Sequence, residues 1–263
     1  MGGKAFTRAV SPKLPECALT HLDRVAIDVA KAAEQHGHYE SALRGAGFEI
    51  VRLPDLPDDP DGVFVEDTAL LLDGHAVITR PGAVSRADEV HSTASGLAQH
   101  FELHRIEQGH VDGGDVLRIG KTLHVGLSSR TNAEGIANLA QIAAGFGFGV
   151  EPADLRGCLH LKTAATVAGR DLAGRLILLY NADALDPAQF SGVEPVAVPA
   201  EEPDAANVLW AGEKTIVPAG HPATASLLRE RGLEVVEIDV SELRKAEAGV
   251  TCMSLISHPI GDR

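Results

Sequence analysis

The chain has 263 residues, 44% of them hydrophobic, an ordinary composition for a globular protein with a sizeable core. A formal charge of −14 argues against nucleic acid and anionic membranes as partners, and no apolar run approaches the roughly 18 residues of a bilayer span. Three cysteines, an odd number in a long chain, point away from a disulfide framework and towards a reducing cytoplasm.

From the N-terminus, Met1-Gly2 lacks a signal-peptide core, and Phe6 stands where a myristoylation signal wants Ser or Thr. Ala5–Val10, Val25–Arg44 and Phe48–Leu53 read as strand, helix and strand, followed by the turn-rich acidic loop Pro54–Gly62. Ala69–Thr79 is the first of four hairpins, two short apolar strands around a Gly-containing turn. A helix over Ser85–His100 and a strand over Phe101–Ile106 come next. The second hairpin, Val116–Val125, leads into a helix at Asn132–Ala144 and a strand at Phe148–Val150. The third lies within Ala164–Leu179, with Gly174 near its middle. After the loop Pro199–Asp204, the fourth spans Asn207–Val217, ahead of a helix at Ala223–Arg231 and a strand at Leu233–Ile238. Gly249–Ile256 supplies a last short strand.

The unit recurs about every 47 residues and carries a polar residue just ahead of, or opening, each hairpin. Glu66-Asp67, Asp112, His160, Asn207 and Cys252 follow one another from Asp67 at steps of 45, 48, 47 and 45. One hairpin-plus-helix cannot bury its own apolar face, so repeats of this length stack or close radially. Splitting the fifth unit between the two chain ends closes the ring and removes open sheet edges. The expected architecture is α/β: a five-bladed, pseudo-symmetric ββαβ propeller forming one catalytic domain over 1–263. An open α/β sheet with accidental spacing is the alternative, and hairpins before the helices suit it poorly.

Five units bringing acid, acid, His, Asn and Cys to one locus describe an active site on the pseudo-symmetry axis. A thiolate nucleophile needs a proton shuttle and an orienting acid, which Cys252, His160 and Asp112 supply. Cys17 and Cys158 read as buried filler. Metal ligation by Cys158, His160, Cys252 and Asp112 is a weaker reading, for no C-x-x-C or H-x-x-x-H pair supports it. In Val111-Asp-Gly-Gly-Asp115 the glycines permit close approach of a ligand; Asp115 reads as a turn-bonded residue and Asp112 does not. The adjacent carboxylates Glu66 and Asp67 are costly near a core unless they meet a cation or a hydrogen-bond network. Arg86 and Arg130 follow successive hairpins, where they could cap helices or together clamp a carboxylate. A ligand cationic at one end and carboxylate at the other, an arginine-like amino acid, fits both pairs.

Phe64-Val-Glu-Asp67, Ile78–Ala83 with Ser85-Arg86, Asp112-Gly-Gly-Asp115, Val125-Gly-Leu-Ser with Arg130-Thr-Asn132, Leu159–Lys162, Ala205-Ala-Asn207 and Thr251-Cys252 resemble the dimethylarginine dimethylaminohydrolases. This is a family of the guanidine-modifying, pentein superfamily, and the resemblance runs from about residue 5 to 256. It implies a five-fold ββαβ propeller, no metal or organic cofactor, and hydrolysis of asymmetric dimethylarginine or monomethylarginine to citrulline and an amine. Residue by residue, Cys252 matches the family's nucleophile, His160 its general acid/base and Asp112 the acidic partner, which is Asp in some members and Glu in others. Asp67 with Glu66 matches the guanidinium-binding acids, Asp61 a group near the substrate α-amine, and Arg86 and Arg130 the carboxylate binders. Leu19 matches a lid residue, and Ala246 falls where the family uses a backbone carbonyl.

Arginine deiminases use nearly the same constellation on unmethylated arginine, but known members carry an inserted helical domain for which 263 residues leave no room. A silent arginine-binding or metal-buffering protein on the same fold would not need the nucleophile. The expected partner is a small-molecule substrate. The outward blade strands could pair in a homodimer or stay solvated.

Overall fold

The computed structural model describes residues 3–257, so the Met1-Gly2 start lies outside the described residues. In chain order come β1 (Lys4–Thr7), α1 (Val29–Gly45) and β2 (Glu49–Arg52), then β3 (Ala69–Leu72), β4 (His75–Ile78), α2 (Glu89–Leu97) and β5 (Glu102–Arg105). The third unit is β6 (Val116–Ile119), β7 (Thr122–Gly126), α3 (Ala133–Ala144) and β8 (Gly149–Ala153). After the one-turn helix α4 (Leu161–Ala164) come β9 (Ala165–Arg170), β10 (Leu176–Tyr180) and β11 (Glu194–Ala197). The last stretch is β12 (Leu209–Ala211), β13 (Lys214–Pro218), α5 (Pro222–Glu230), β14 (Glu234–Ile238), the short α6 (Ser241–Arg244) and β15 (Leu255–Ser257).

These strands form five three-stranded sheets among the described residues, and in each the first pair is antiparallel and the second parallel. That is the ββαβ unit repeated five times. One blade joins the chain ends: Phe6 of β1 pairs with Leu255 of β15, and β2 completes the sheet. The five-bladed ββαβ propeller read from the repeat is the observed fold.

Local chemistry sets the elements. Asp73 and Gly74 both take positive φ, 45° and 97°, the turn that suits the strand twist of a two-residue hairpin. Asp28 and Asn132 cap α1 and α3, accepting from Lys31 N and Gly135 N. The fourth unit has a short 3-10 turn, Pro187–Gln189, where the four others carry a longer helix. Packing closes the ring: each of five apolar clusters lies between consecutive blades, as where Val77 of β4 packs against the group containing Leu139 of α3. No helix among the described residues is long and apolar enough to cross a membrane.

Candidate active site

Each hairpin is preceded by a tight turn: Val65–Thr68, Gly113–Asp115, Leu161–Ala164, Pro203–Ala206 and the bend around Cys252. Five such turns meet at the axis, and their hydrogen bonds run from blade to blade. Lys162 Nζ donates to Glu66 Oε1 at 2.7 Å and to Gly113 O at 3.1 Å, while Thr251 Oγ1 donates to Glu66 Oε2 at 2.6 Å. Asn207 Nδ2 donates to Lys162 O at 2.9 Å, and Asn207 Oδ1 accepts from Thr251 N at 3.1 Å. The Glu66 amide donates to Cys252 O at 3.0 Å. This belt plugs the central channel lined by strands β3, β6, β9, β12 and β15, a cavity of about 170 Å³ that Glu66, Lys162 and Thr251 also line.

Beside the belt lies a separate cavity of about 30 Å³, which Asp61, Asp67, Arg86, Arg130, His160 and Cys252 line together with Ala18 and the 246–248 loop. Asp112 stands immediately behind it. His160 Nε2 meets Asp112 Oδ2 at 3.0 Å with both side chains buried, and Gly82 N donates to Asp112 Oδ1 at 2.8 Å. With Nε2 committed, Nδ1 is the imidazole nitrogen left for proton exchange. Gly114 passes so close to it that an added Cβ would lie 2.8 Å from both His160 Nδ1 and Asp67 Oδ1, so only glycine fits. A side chain at Gly82 would likewise strike the backbone of Arg130.

The electrostatics of this cavity follow from burial and three acids. Burial opposes a charged His160, but Asp67, the hydrogen bond to Asp112 and the charge of Asp115 outweigh it and push the imidazole up to about 9. Burial alone would raise Asp67; His160, Arg86 and the Gly114 amide instead hold it down to about 2. Burial, then the charges of Glu66 and Asp67, push the Cys252 thiol up to about 12 against the pull of the Gly249 amide. At neutral pH the cavity therefore holds imidazolium, carboxylate and thiol.

The expected residues fall into place unequally. Cys252 lies in a turn three residues ahead of β15 and not at a strand start as its neighbours suggest. Asp67 accepts from Gly114 N at 2.9 Å and from Arg86 Nη1 at 2.5 Å. Asp61 accepts from Ala18 N at 3.1 Å on one carboxylate oxygen. Arg130 reaches the cavity with its guanidinium 3.7 Å from Asp112 and donates to Thr20 Oγ1 at 3.1 Å. Arg86 departs from a pure carboxylate clamp: it donates to both oxygens of Glu89, at 3.0 and 2.8 Å, and to Phe64 O at 2.8 Å as well as to Asp67. Glu66 lies apart from this cavity. It turns to the belt, saturated by Lys162 and Thr251, and does not line the reactive cavity. Leu19 packs against the core between the first and last blades while its neighbour Ala18 lines the cavity. Ala246 lines the cavity.

Some residues that shape the site escape a reading by repeat alone. Asp115 is not a turn-bonded residue: it accepts from Leu161 N at 2.9 Å and Ser128 Oγ at 2.6 Å, which fixes the helix start that carries His160. Lys162 had a signal available. Glu66, Lys162 and Cys252 each stand three residues before the strand of their unit, whereas Asp67, Asp112 and His160 stand two, four and five before theirs. The shared feature is the turn and not its register. Glu247, at φ 59°, also emerges only in three dimensions: its carboxylate accepts from the consecutive amides of Thr20, His21 and Leu22 and straps that loop across the cavity. Asp67, Asp112 and His160 bring ligand atoms within 4.8 Å, but their mutual bonds and those to Arg86, Gly82 and Gly114 make them a hydrogen-bonded set.

Comparison with known proteins places this geometry. A family model described as arginine deiminase matches residues 91–174. The N(G),N(G)-dimethylarginine dimethylaminohydrolase of Pseudomonas aeruginosa is 38% identical over 233 residues, covering 87% of this chain and 89% of the relative. The chain belongs to the dimethylarginine dimethylaminohydrolase family. Among solved structures, a cysteine-to-serine mutant of the Pseudomonas aeruginosa dimethylarginine dimethylaminohydrolase complexed with citrulline superimposes with a TM-score of 0.89, at 34% identity, covering 97% of this chain and 99% of that one. A histidine-to-glycine dimethylarginine dimethylaminohydrolase, solved as an adduct with S-methyl-L-thiocitrulline, gives 0.86 at 34% identity and covers 97% and 100%.

Proposed function

We propose that this chain hydrolyses Nω-methylated arginines, asymmetric dimethylarginine and monomethylarginine, to L-citrulline and dimethylamine or methylamine. The observation that carries the reading is the buried His160–Asp112 pair beside Cys252 and Asp67 around one cavity. The citrulline complex and the thiocitrulline adduct of its relatives support it.

A guanidinium carbon is a poor electrophile because its charge is spread over three nitrogens. Asp67 holds the cation in place, and the arriving positive charge offsets the burial and the Glu66 and Asp67 fields that keep Cys252 protonated, so that the thiol gives its proton to solvent. Thiolate adds to the carbon, and imidazolium at His160 protonates the departing amine. The thiouronium left on Cys252 is attacked by water with neutral His160 as base, which releases citrulline and the thiol. Asp112 keeps the imidazole oriented through Nε2. Arg130, with the remaining Arg86 donor, binds the substrate carboxylate, and Asp61 receives the α-ammonium. Ala246 contributes its backbone carbonyl.

A cavity of about 30 Å³ has room for about one water, so an amino acid of arginine's size enters only when the 18–22 loop opens from Glu247. Leu19 belongs to that moving loop. Residues 1–263 act as a single catalytic domain without a metal or organic cofactor. Three unpaired thiols suit a reducing cytoplasm, and the outer strands β2, β5, β8, β11 and β14 offer the edges for a homodimer.

A citrulline assay comparing asymmetric dimethylarginine, monomethylarginine and arginine tests the substrate class. Methylated substrates should give the higher kcat/KM. Arginine as the best substrate would move the chain to deiminase chemistry on the same residues.

A further inference from the structure

A second cluster of chemistry-bearing side chains lies on the second blade, at the far end of β4 from the catalytic turn. His75 opens β4 and is the register partner of Glu102 on the parallel strand β5; His104, two residues on, shares the face of Glu102. His75 Nδ1 lies 3.2 Å from His104 Nε2, and the two oxygens of Glu102 lie 3.5 Å from the first nitrogen and 3.7 Å from the second. Phe146 fixes both rings from behind, stacked on His75 at 3.9 Å and 8° and tilted on His104 at 4.6 Å.

Hydrogen bonding accounts for this convergence poorly. One shared proton serves the two nitrogens, and neither carboxylate contact comes within ordinary hydrogen-bond length. A cation accounts for it better. Ligand atoms at about 2.0–2.1 Å from a tetrahedral zinc ion stand about 3.3 Å apart, close to the separations seen. Two imidazoles with one carboxylate suit zinc and its late first-row neighbours and not calcium or magnesium.

We propose that His75 Nδ1, His104 Nε2 and the Glu102 carboxylate form a peripheral site for a zinc-class divalent cation, with water at the open position. The ion would tie β4 to β5 and so clamp the outer half of the second blade. Because it binds the folded chain alone, it should raise the unfolding temperature in a concentration-dependent way.

The test starts from Cys252→Ser, which removes the thiolate that would otherwise compete for zinc. Calorimetric titration with zinc should give one ion per chain and a rise in Tm. Adding His104→Ala or His75→Gln should weaken binding by more than about tenfold, since loss of a supporting outer partner alone costs that much, and should abolish the Tm shift. Cobalt should give a visible spectrum without a thiolate charge-transfer band, lost in the same variants. His104→Ala with Cys252 intact should keep full zinc-free turnover, which shows that it folds. Zinc affinity and Tm shift unchanged by His75→Gln and His104→Ala, or lost only on His160→Ala, would overturn the proposal.

Discussion

The axial belt draws on all five turns and the reactive cavity on four of them, yet they hold their charges differently. In the belt, Glu66 is met on both oxygens by Lys162 and Thr251, and Asn207 bridges to the next blade, so every group has its partner. In the cavity, burial and nearby carboxylates push the Cys252 thiol up to about 12, and the charge of Asp67 with the Asp112 hydrogen bond pushes the His160 imidazole up to about 9. Saturation separates structure from chemistry here. Groups with all partners supplied by the protein hold the ring shut, and groups with strongly shifted protonation are the ones to which we assign the reaction.

The largest effect on turnover belongs to Cys252. Cys252→Ser should leave the circular dichroism spectrum unchanged and reduce citrulline formation to background, because a hydroxyl supplies far less anion than a thiol. Next is His160→Ala, which should lower kcat by about 10²–10⁴-fold, since in the proposed mechanism one imidazole serves the amine and the water in turn. Retention of more than about a tenth of wild-type kcat would contradict that role.

The pH dependence carries a sign. His160 is charged below about 9, so the acid needed for the amine is present at neutral pH and kcat should fall as pH rises through about 9. Its folded value is raised, so its contribution to stability is full below the unfolded value of about 6.5. That contribution is lost as pH climbs through about 9, and denaturant titration at several pH values should show the loss in wild type and not in His160→Ala.

Arg130→Ala should act chiefly on KM, by the roughly 1.5–3 kcal/mol of a charged hydrogen bond. Agmatine, arginine without its carboxylate, sharpens this: wild type should discriminate strongly against it and Arg130→Ala should lose most of the preference. Equal use of both ligand types by wild type would make Arg130 structural. Lys162→Met should touch turnover least. By leaving Glu66 partly buried without its cation it should cost about 3 kcal/mol of stability, while folded molecules keep kcat within a few fold. A loss of kcat as large as that of His160→Ala would show that belt and cavity are one machine.

The repeat made most of the fold legible, since hairpin glycines, helix caps and apolar strands are local signals that survive in one dimension. Even the split blade followed from the need to close the ring. The site was legible as far as the turns reach: Cys252, His160, Asp112 and Asp67 converge because the pseudo-symmetry places their turns together. What a repeat cannot supply is direction within a turn. Glu66 and Asp67 are adjacent in sequence but face different cavities, and Arg86 loses part of its fork to Glu89, three residues further along the chain. The Glu247 strap joins segments 225 residues apart or more, a contact that only tertiary packing creates.

Mass spectrometry of enzyme quenched during turnover of asymmetric dimethylarginine tests the central claim most directly. The account predicts a thiouronium adduct on Cys252 that accumulates and then decays as citrulline forms. An adduct on Cys17 or Cys158, or steady turnover by Cys252→Ser with no covalent species at all, would contradict it.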